Sequence, residues 1–480
     1  MTTPMQTRSC DVAIIGAGSA GLSAYRAARA HGKNVVLIEK GPYGTTCARV
    51  GCMPSKLLIA AAEAAHKVTQ APAFGVHAGA LRVDGRAVMA RVKSERDRFV
   101  SFVLESVEHI APNDRIEGQA RFVAPGELMI GTHTLVQAKT VVIATGSSPS
   151  KPDVLKPAGD RLLISDDVFY WDDLPKSIAV VGTGVVGLEL GQALHRLSVK
   201  VTFYGRDGSL GPLKEGAVLA AAVKTLGAEL DLRLDTEILG VEHQGDHVTL
   251  RSRAADGQER QDSFEWILAA AGRPPNVKSL ALEQSGLELD DKGLPEVDAH
   301  TAQCGHSAVF MAGDVIGERP LLHEAVDTGR IAGENAALYP DVLPGLRRAP
   351  IGVAFTEPQI ATVGKTSHFA EGQKHVVGEA SFDDQGRSRV MLQNHGLLQV
   401  YAEVGTGLFL GARMVCPSAE HLAHLMAWAC QSGMTIRKML EMPFYHPVVE
   451  EGLRTALRDA ANKLHKLADI DFCADCTPGM

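Results

Sequence analysis

Two cysteines, Cys47 and Cys52, stand five residues apart in the run Gly44-Thr45-Thr46-Cys47-Ala48-Arg49-Val50-Gly51-Cys52-Met53-Pro54-Ser55-Lys56. In a regular helix that offset separates the two Cα atoms by roughly 8–9 Å. A disulfide spans at most about 7 Å. A pair that cycles between dithiol and disulfide therefore needs a distorted helix, and Gly51 and Pro54 allow or impose distortion. The competing reading of two such cysteines is buried apolar packing. What lies upstream favours redox chemistry beside a nucleotide.

The elements that must position this box begin at a short apolar strand, Asp11 to Ile15. It runs into Gly16-Ala17-Gly18-Ser19-Ala20-Gly21 and an Ala-rich helix through Ala30, and a second strand, Asn34 to Ile38, ends at Glu39. Strand, glycine turn, helix, strand and acid in this order form a dinucleotide fingerprint. Gly16, Gly18 and Gly21 permit the turn and bring a helix N-terminus to a pyrophosphate. Glu39, 18 residues past Gly21, is placed to accept from ribose hydroxyls. The pattern recurs: strand Ser177 to Val181, turn Gly182-Thr183-Gly184-Val185-Val186-Gly187, helix Leu188 to Arg196, strand Lys200 to Tyr204. Two fingerprints imply two nucleotides, a flavin and a nicotinamide being the usual pair.

The second fingerprint departs from the first at one position. Counting 18 residues from Gly187 lands on Gly205, followed by Arg206. An acid there binds the ribose 2′-hydroxyl of NAD and repels a 2′-phosphate. Its replacement by Gly205-Arg206 removes the repulsion and adds a cation able to pair with phosphate, so NADP(H) is the expected nicotinamide. Arg206 as an ordinary surface cation is the alternative.

The chain has 480 residues, 45% apolar and 22% charged, which suits a large globular protein of two to four domains. A net charge of −8 argues against a nucleic-acid or anionic-membrane partner. No apolar run reaches the length of a membrane span, and the polar Met1–Ser9 segment has no signal-like apolar core. Eight cysteines in so long a chain do not make a disulfide scaffold, so a reducing cytoplasm is expected. The pattern along the chain predicts a first dinucleotide-binding segment over 1–148, a second dinucleotide-binding unit over 149–270, a return segment to the first over 271–346, a separate α+β unit over 347–466 and a cysteine-containing tail over 467–480. Ser147 to Pro157 reads as a linker. The expected fold class is α/β, with two Rossmann-like dinucleotide-binding domains and a C-terminal α+β dimerisation domain.

Together these residues resemble the class I FAD-dependent pyridine nucleotide–disulfide oxidoreductases, the group that includes dihydrolipoyl dehydrogenase, glutathione reductase and mercuric reductase. The resemblance runs from about Asp11 to Lys466. It rests on the Cys-x4-Cys box with Pro-Ser-Lys, the Ala144-Thr145-Gly146 turn, both fingerprints, Gly272-Arg273-Pro274, Gly313-Asp314, Phe355-Thr356-Glu357-Pro358 and His446-Pro447-Val448-Val449-Glu450-Glu451. In the last element Val448 stands where the family usually has Thr.

The resemblance implies a homodimer whose active sites span both subunits, with FAD and NAD(P) as cofactors and no resident metal. By position, Cys52 becomes the thiol in charge-transfer contact with flavin and Cys47 the interchange thiol. His446, oriented by Glu451, shuttles protons for the partner's cysteines, across a His446–Pro447 bond that is cis in this reading. Lys56 pairs with Glu189 near the flavin. Further cofactor contacts fall on Lys40, Thr46, Thr145, Gly146, Asp314, Leu322, His323, Val185, Gly272 and Arg273. Val185 stands where glutathione reductases carry a gating Tyr, and Leu322-His323 resembles the dehydrogenase version of that helix start. Both features, with the retained His446, point to a dihydrolipoyl-type dithiol and a lipoyl-bearing protein as substrate. Cys473 and Cys476 in the tail leave two readings: incidental thiols, or a relay serving an NADPH-driven reductase of another disulfide or of a thiophilic metal ion. A redox sensor or a non-catalytic subunit of an acyl-transfer complex is a third class.

Overall fold

The computed structural model describes residues 5–367 and 373–468. The tail cysteines Cys473 and Cys476 lie outside the described residues. The first strand extends further back than its apolar core, over Gln6–Ile15. Only Val12 to Ile15 is buried on both faces, as befits a strand inside a parallel sheet covered on each side. It lies between strands Val35–Glu39 and Thr134–Ile143, both parallel to it. Thr134–Ile143 takes an antiparallel neighbour, Glu127–Ile130, along its first half and a parallel one, Val309–Met311, along its last three residues. The chain thus returns to the first sheet after leaving it for a second.

That second sheet is wholly parallel, in the order Asp231–Arg233, Lys200–Tyr204, Ser177–Val181, Trp266–Ala269, Leu162–Ile164. A three-stranded antiparallel sheet over residues 236–264 flanks it. The stretch read as a linker is partly ordered as a 3-10 helix, Asp153–Arg161, because Leu155 and Ala158 are buried against this unit. The C-terminal part is a five-stranded antiparallel sheet, packed by helices Ala419–Gln431 and Glu451–Ala468. In each sheet the strand that enters the glycine turn has its two neighbours on opposite sides, one supplied by the next strand of the unit and the other by a later return of the chain, the switch point at which such sheets bind ligands.

The helix after the first turn, Ser19–Ala30, packs against Leu322–Leu338. Small residues permit the close approach: a Cβ at Gly329 would run into Ala20 and one at Gly333 into the Ala24 carbonyl. Replacing a helical Gly by Ala ordinarily gains about 1 kcal/mol. Collision with a backbone that cannot step aside outweighs this, so Gly333→Ala is expected to destabilise by about 1–3 kcal/mol in urea unfolding.

Candidate functional site: two nucleotide cradles around a cysteine pair

The two glycine turns are built alike. An added Cβ at Gly16 would collide with the Ala144 carbonyl and one at Gly182 with the Ala270 carbonyl. At Gly21 and Gly187 the obstacle is the carbonyl of the first glycine in the same turn. Gly18 and Gly184 face open space, each as the N-cap of a helix with no side-chain cap. An uncapped helix N-terminus opening on empty space leaves backbone N–H groups for an anion such as pyrophosphate. Both cradles therefore fit a dinucleotide.

The first turn opens into a cleft of about 340 Å³. Gly16, Gly18, Glu39, Lys40, Thr46, Thr145, Gly146 and Arg273 line it. Glu39 ends its strand and accepts from the N–H groups of Ala17 (2.6 Å) and Gly41 (2.9 Å), leaving lone pairs free for hydroxyl donors. Arg273 lies on the wall of this cleft. It donates to Ser147 and Asp166, and Ser147 Oγ donates to Asp314 at 2.9 Å. Asn276 and Thr145 exchange two hydrogen bonds across the same wall. Gly272, at φ +103°, accepts from Ser150 N. Leu322 and His323 are exposed at the start of their helix. Val185 begins the second turn's helix, and Arg206 is exposed and makes no ion pair among the described residues.

Beside the cleft, Thr46–Val50 forms a short helix and Cys52–Gln70 a long one, broken at Gly51. This is the distortion the five-residue spacing requires. Gly51 has no room for a side chain: its Cβ would lie 3.0 Å from Thr46 O and 3.2 Å from Cys47 Cα. The Thr45 hydroxyl caps the short helix by accepting from Ala48 N. Cys47 and Cys52 are free thiols hydrogen-bonded to each other. The hydrogen bond to Cys52, followed by burial, pushes the Cys47 thiol up. The same bond pulls Cys52 down to about 7, with burial opposing and the Lys56 cation assisting. Of the two sulfurs, Cys52 is the one whose surroundings favour the thiolate.

Lys56, one turn along from Cys52, meets Glu189 at 2.7 Å and lies 4.4 Å above the Phe355 ring. The other Glu189 oxygen accepts from Phe355 N at 3.0 Å. Gln192 and Arg196, on the same face of that helix, continue the grip. Gln192 accepts from Glu357 N (2.8 Å) and donates to Glu357 O (2.9 Å). Arg196, its side chain 5% exposed, pairs with both Glu229 and Glu357. Sequence reasoning missed this ladder. Its signal was a run of polar residues, 189, 192 and 196, on one face of a helix otherwise built of apolar residues.

His446 has no hydrogen bond to this cluster among the described residues; its ring is bound by Glu451. Its side chain is 80% exposed, and Nδ1 lies 3.1 Å from both oxygens of Glu451. Glu451 also accepts from Val448 N. Burial opposes its ionisation, but the bonds from His446 and Val448 hold the carboxyl below its ordinary value. The His446–Pro447 peptide is cis. The imidazole is thus held by Glu451 on one side and exposed on the other.

A family model described as pyridine nucleotide-disulphide oxidoreductase matches residues 10–329, and the dimerisation domain of that family matches 351–457. Dihydrolipoyl dehydrogenase of Haloferax volcanii is 30% identical over 95% of this chain and 98% of its own length. That of Thermus scotoductus is 31% identical over 96% and 98%. Among solved structures, LpdA from Mycobacterium tuberculosis has a TM-score of 0.79 at 25% identity, covering 93% of this chain and 99% of its own. The copper(II) complex of the flavoprotein disulfide reductase RclA from Escherichia coli has a TM-score of 0.77 at 23% identity, covering 96% and 100%. The chain belongs to the pyridine nucleotide-disulphide oxidoreductase family. It is a flavoprotein disulfide oxidoreductase that uses FAD and NAD(P) and carries the family's dimerisation domain. Among the described residues no helix is long and apolar enough to cross a membrane.

Two outcomes follow from the charges around Cys52. Its thiolate persists above about pH 7 and is lost as pH falls through that value. Lys56→Met removes the nearby cation and exposes the thiolate to Glu189, so the midpoint of a thiolate absorbance titration of the reduced enzyme should move to higher pH; an unchanged midpoint would contradict this. Arg196→Met leaves Glu229 and Glu357 unpaired, with an expected stability loss of about 3–5 kcal/mol by chemical denaturation.

Proposed function

We propose that this enzyme moves electrons between a small dithiol of the dihydrolipoyl type and NADP(H) through Cys47 and Cys52. One observation carries the reading: a hydrogen-bonded cysteine pair set across a helix break, in a chain whose relatives at 30–31% identity over nearly full length are dihydrolipoyl dehydrogenases. In the direction of dithiol oxidation, a substrate thiolate attacks Cys47 of the disulfide and Cys52 leaves as thiolate. The second substrate thiol gives its proton to His446 of the partner subunit and attacks the mixed disulfide, releasing oxidised substrate and the Cys47 thiolate. The pair then holds the two electrons, and a proton returned to Cys47 restores its thiol.

Bound FAD supplies the two-electron carrier between this dithiol and the nicotinamide. Lys56 holds a positive charge beside Cys52, and Glu189 fixes Lys56. Glu451 keeps the His446 ring oriented through Nδ1. Residues 1–148 and 271–346 form the FAD-binding unit in this reading, 149–270 the nicotinamide unit and 347–466 the interface of a homodimer. The dimerisation-domain match and the outward-facing His446 support two copies. The low cysteine content supports a reducing, cytoplasmic setting, and a lipoyl-bearing protein is the natural source of the dithiol. NADP(H) is supported by the sheet register, which puts Gly205 where the first fingerprint has Glu39.

Steady-state oxidation of dihydrolipoamide with NAD and NADP side by side tests both parts. Turnover with a kcat/KM favouring NADP is expected. Preference for NAD would remove the Gly205-Arg206 argument. Absence of turnover with either would favour the NADPH-driven reductase of another disulfide or of a thiophilic metal ion.

A further inference from the structure

The two fingerprints superimpose residue by residue. Gly16 N donates to Ile38 O at 2.7 Å, and Gly182 N donates to Tyr204 O at 2.8 Å. Ile15 pairs with Ile38, and Val181 with Tyr204. Glu39 therefore corresponds to Gly205, and Ala17, the residue between the first two glycines, corresponds to Thr183. In the first unit a Glu39 oxygen sits on Ala17 N, over a side chain with no atom beyond Cβ. In the second, that space is filled.

A Cβ on residue 205 would fall 2.7 Å from Thr183 Oγ1, 3.1 Å from Thr183 Cγ2 and 3.0 Å from Leu234 O. Gly205 does not have the positive φ that favours glycine, so packing alone reserves the position. Nor can Thr183 readily turn away. It is 4% exposed, its hydroxyl donates to Ser209 O at 2.9 Å, and its carbonyl accepts from Gly211 N at 2.7 Å. Its β-branch leaves few rotamers. The next acid, Asp207, is held by Ser209 N and Oγ at 3.3 and 2.6 Å.

We propose that Thr183 is a specificity-determining residue: its side chain locks position 205 as glycine and so excludes a ribose-reading carboxylate from the nicotinamide site, leaving a nucleotide with a 2′-phosphate as the ligand and Arg206 as its cation. The 2′-phosphate part rests on the NADP(H) reading above. The steric part stands on the packing. Preference for the phosphorylated nucleotide then takes two residues to undo, because a carboxylate at 205 reaches the ribose only once the hydroxyl and methyl of residue 183 have gone.

Two arms test this on the FAD-loaded protein. In the first, Gly205→Ala, Thr183→Ala and the double variant form a cycle read by thermal unfolding, without nucleotide. Gly205→Ala should lower the Tm of the otherwise native chain and cost much less with Thr183→Ala. An equal loss in both backgrounds would overturn the lock. In the second arm, kcat/KM is compared for NAD and NADP. Gly205→Glu alone should lose NADP without gaining NAD, whereas Thr183→Ala with Gly205→Glu should raise the NAD/NADP ratio by about tenfold over that single variant. A single Gly205→Glu variant that switches as far as the double would overturn the proposal. A native enzyme that prefers NAD would instead overturn the nicotinamide reading, while the unfolding cycle still decides the lock.

Discussion

Glu189 is a buried carboxylate with a partner on each oxygen, and the arrangement of the site depends on it. One oxygen holds Lys56 from the cysteine helix, and the other holds the Phe355 backbone from the C-terminal part of the chain. Glu189 itself belongs to the helix of the second glycine turn. A buried charge left without partners is costly, so three segments far apart in sequence are drawn to one point beside Cys52. Gln192 and Arg196 extend the same helix face and bind Glu357 through its backbone and side chain. Movement of the nicotinamide-side helix cannot leave the cysteine helix behind without breaking ionic and backbone bonds together.

At the centre of that frame a helix is deliberately interrupted. Gly51 separates Thr46–Val50 from Cys52–Gln70 and lets two sulfurs meet that a regular helix would hold apart. Their surroundings differ. Those of Cys52, with Lys56 one turn away, favour the thiolate, and those of Cys47 favour the thiol. This asymmetry divides the labour proposed for the pair: a stable thiolate on one side and a thiol that needs a base on the other. Among the described residues no hydrogen bond supplies that base. The imidazole proposed for it, His446, is turned outward and held by Glu451, the arrangement on which the proposed role of a second copy rests.

Much of this was legible in the sequence because glycine and cysteine report backbone demands directly. Gly16, Gly21, Gly182 and Gly187 occupy positions where any Cβ would collide with a carbonyl, and the spacing of Cys47 and Cys52 called for the break found at Gly51. The Lys56–Glu189 and His446–Glu451 contacts also match the pairings that the motifs implied. Less visible were residues whose meaning depends on what packs opposite. Arg196 and Gln192 acquire partners only when Glu229 and Glu357 arrive from elsewhere in the chain. Arg273 reaches the first cleft because its strand-end loop folds back over Ser147. Thr183 looked like a spacer between two glycines until the register set it against Gly205.

The central claim is that Cys52 holds the thiolate next to the flavin while Cys47 faces substrate. Anaerobic two-electron reduction of the holoenzyme, followed by its long-wavelength charge-transfer absorbance, tests it in the native protein and in Cys47→Ser and Cys52→Ser. The band should appear in the native enzyme, survive in Cys47→Ser and vanish in Cys52→Ser. A band that survives loss of Cys52 and disappears with Cys47 would contradict the assignment.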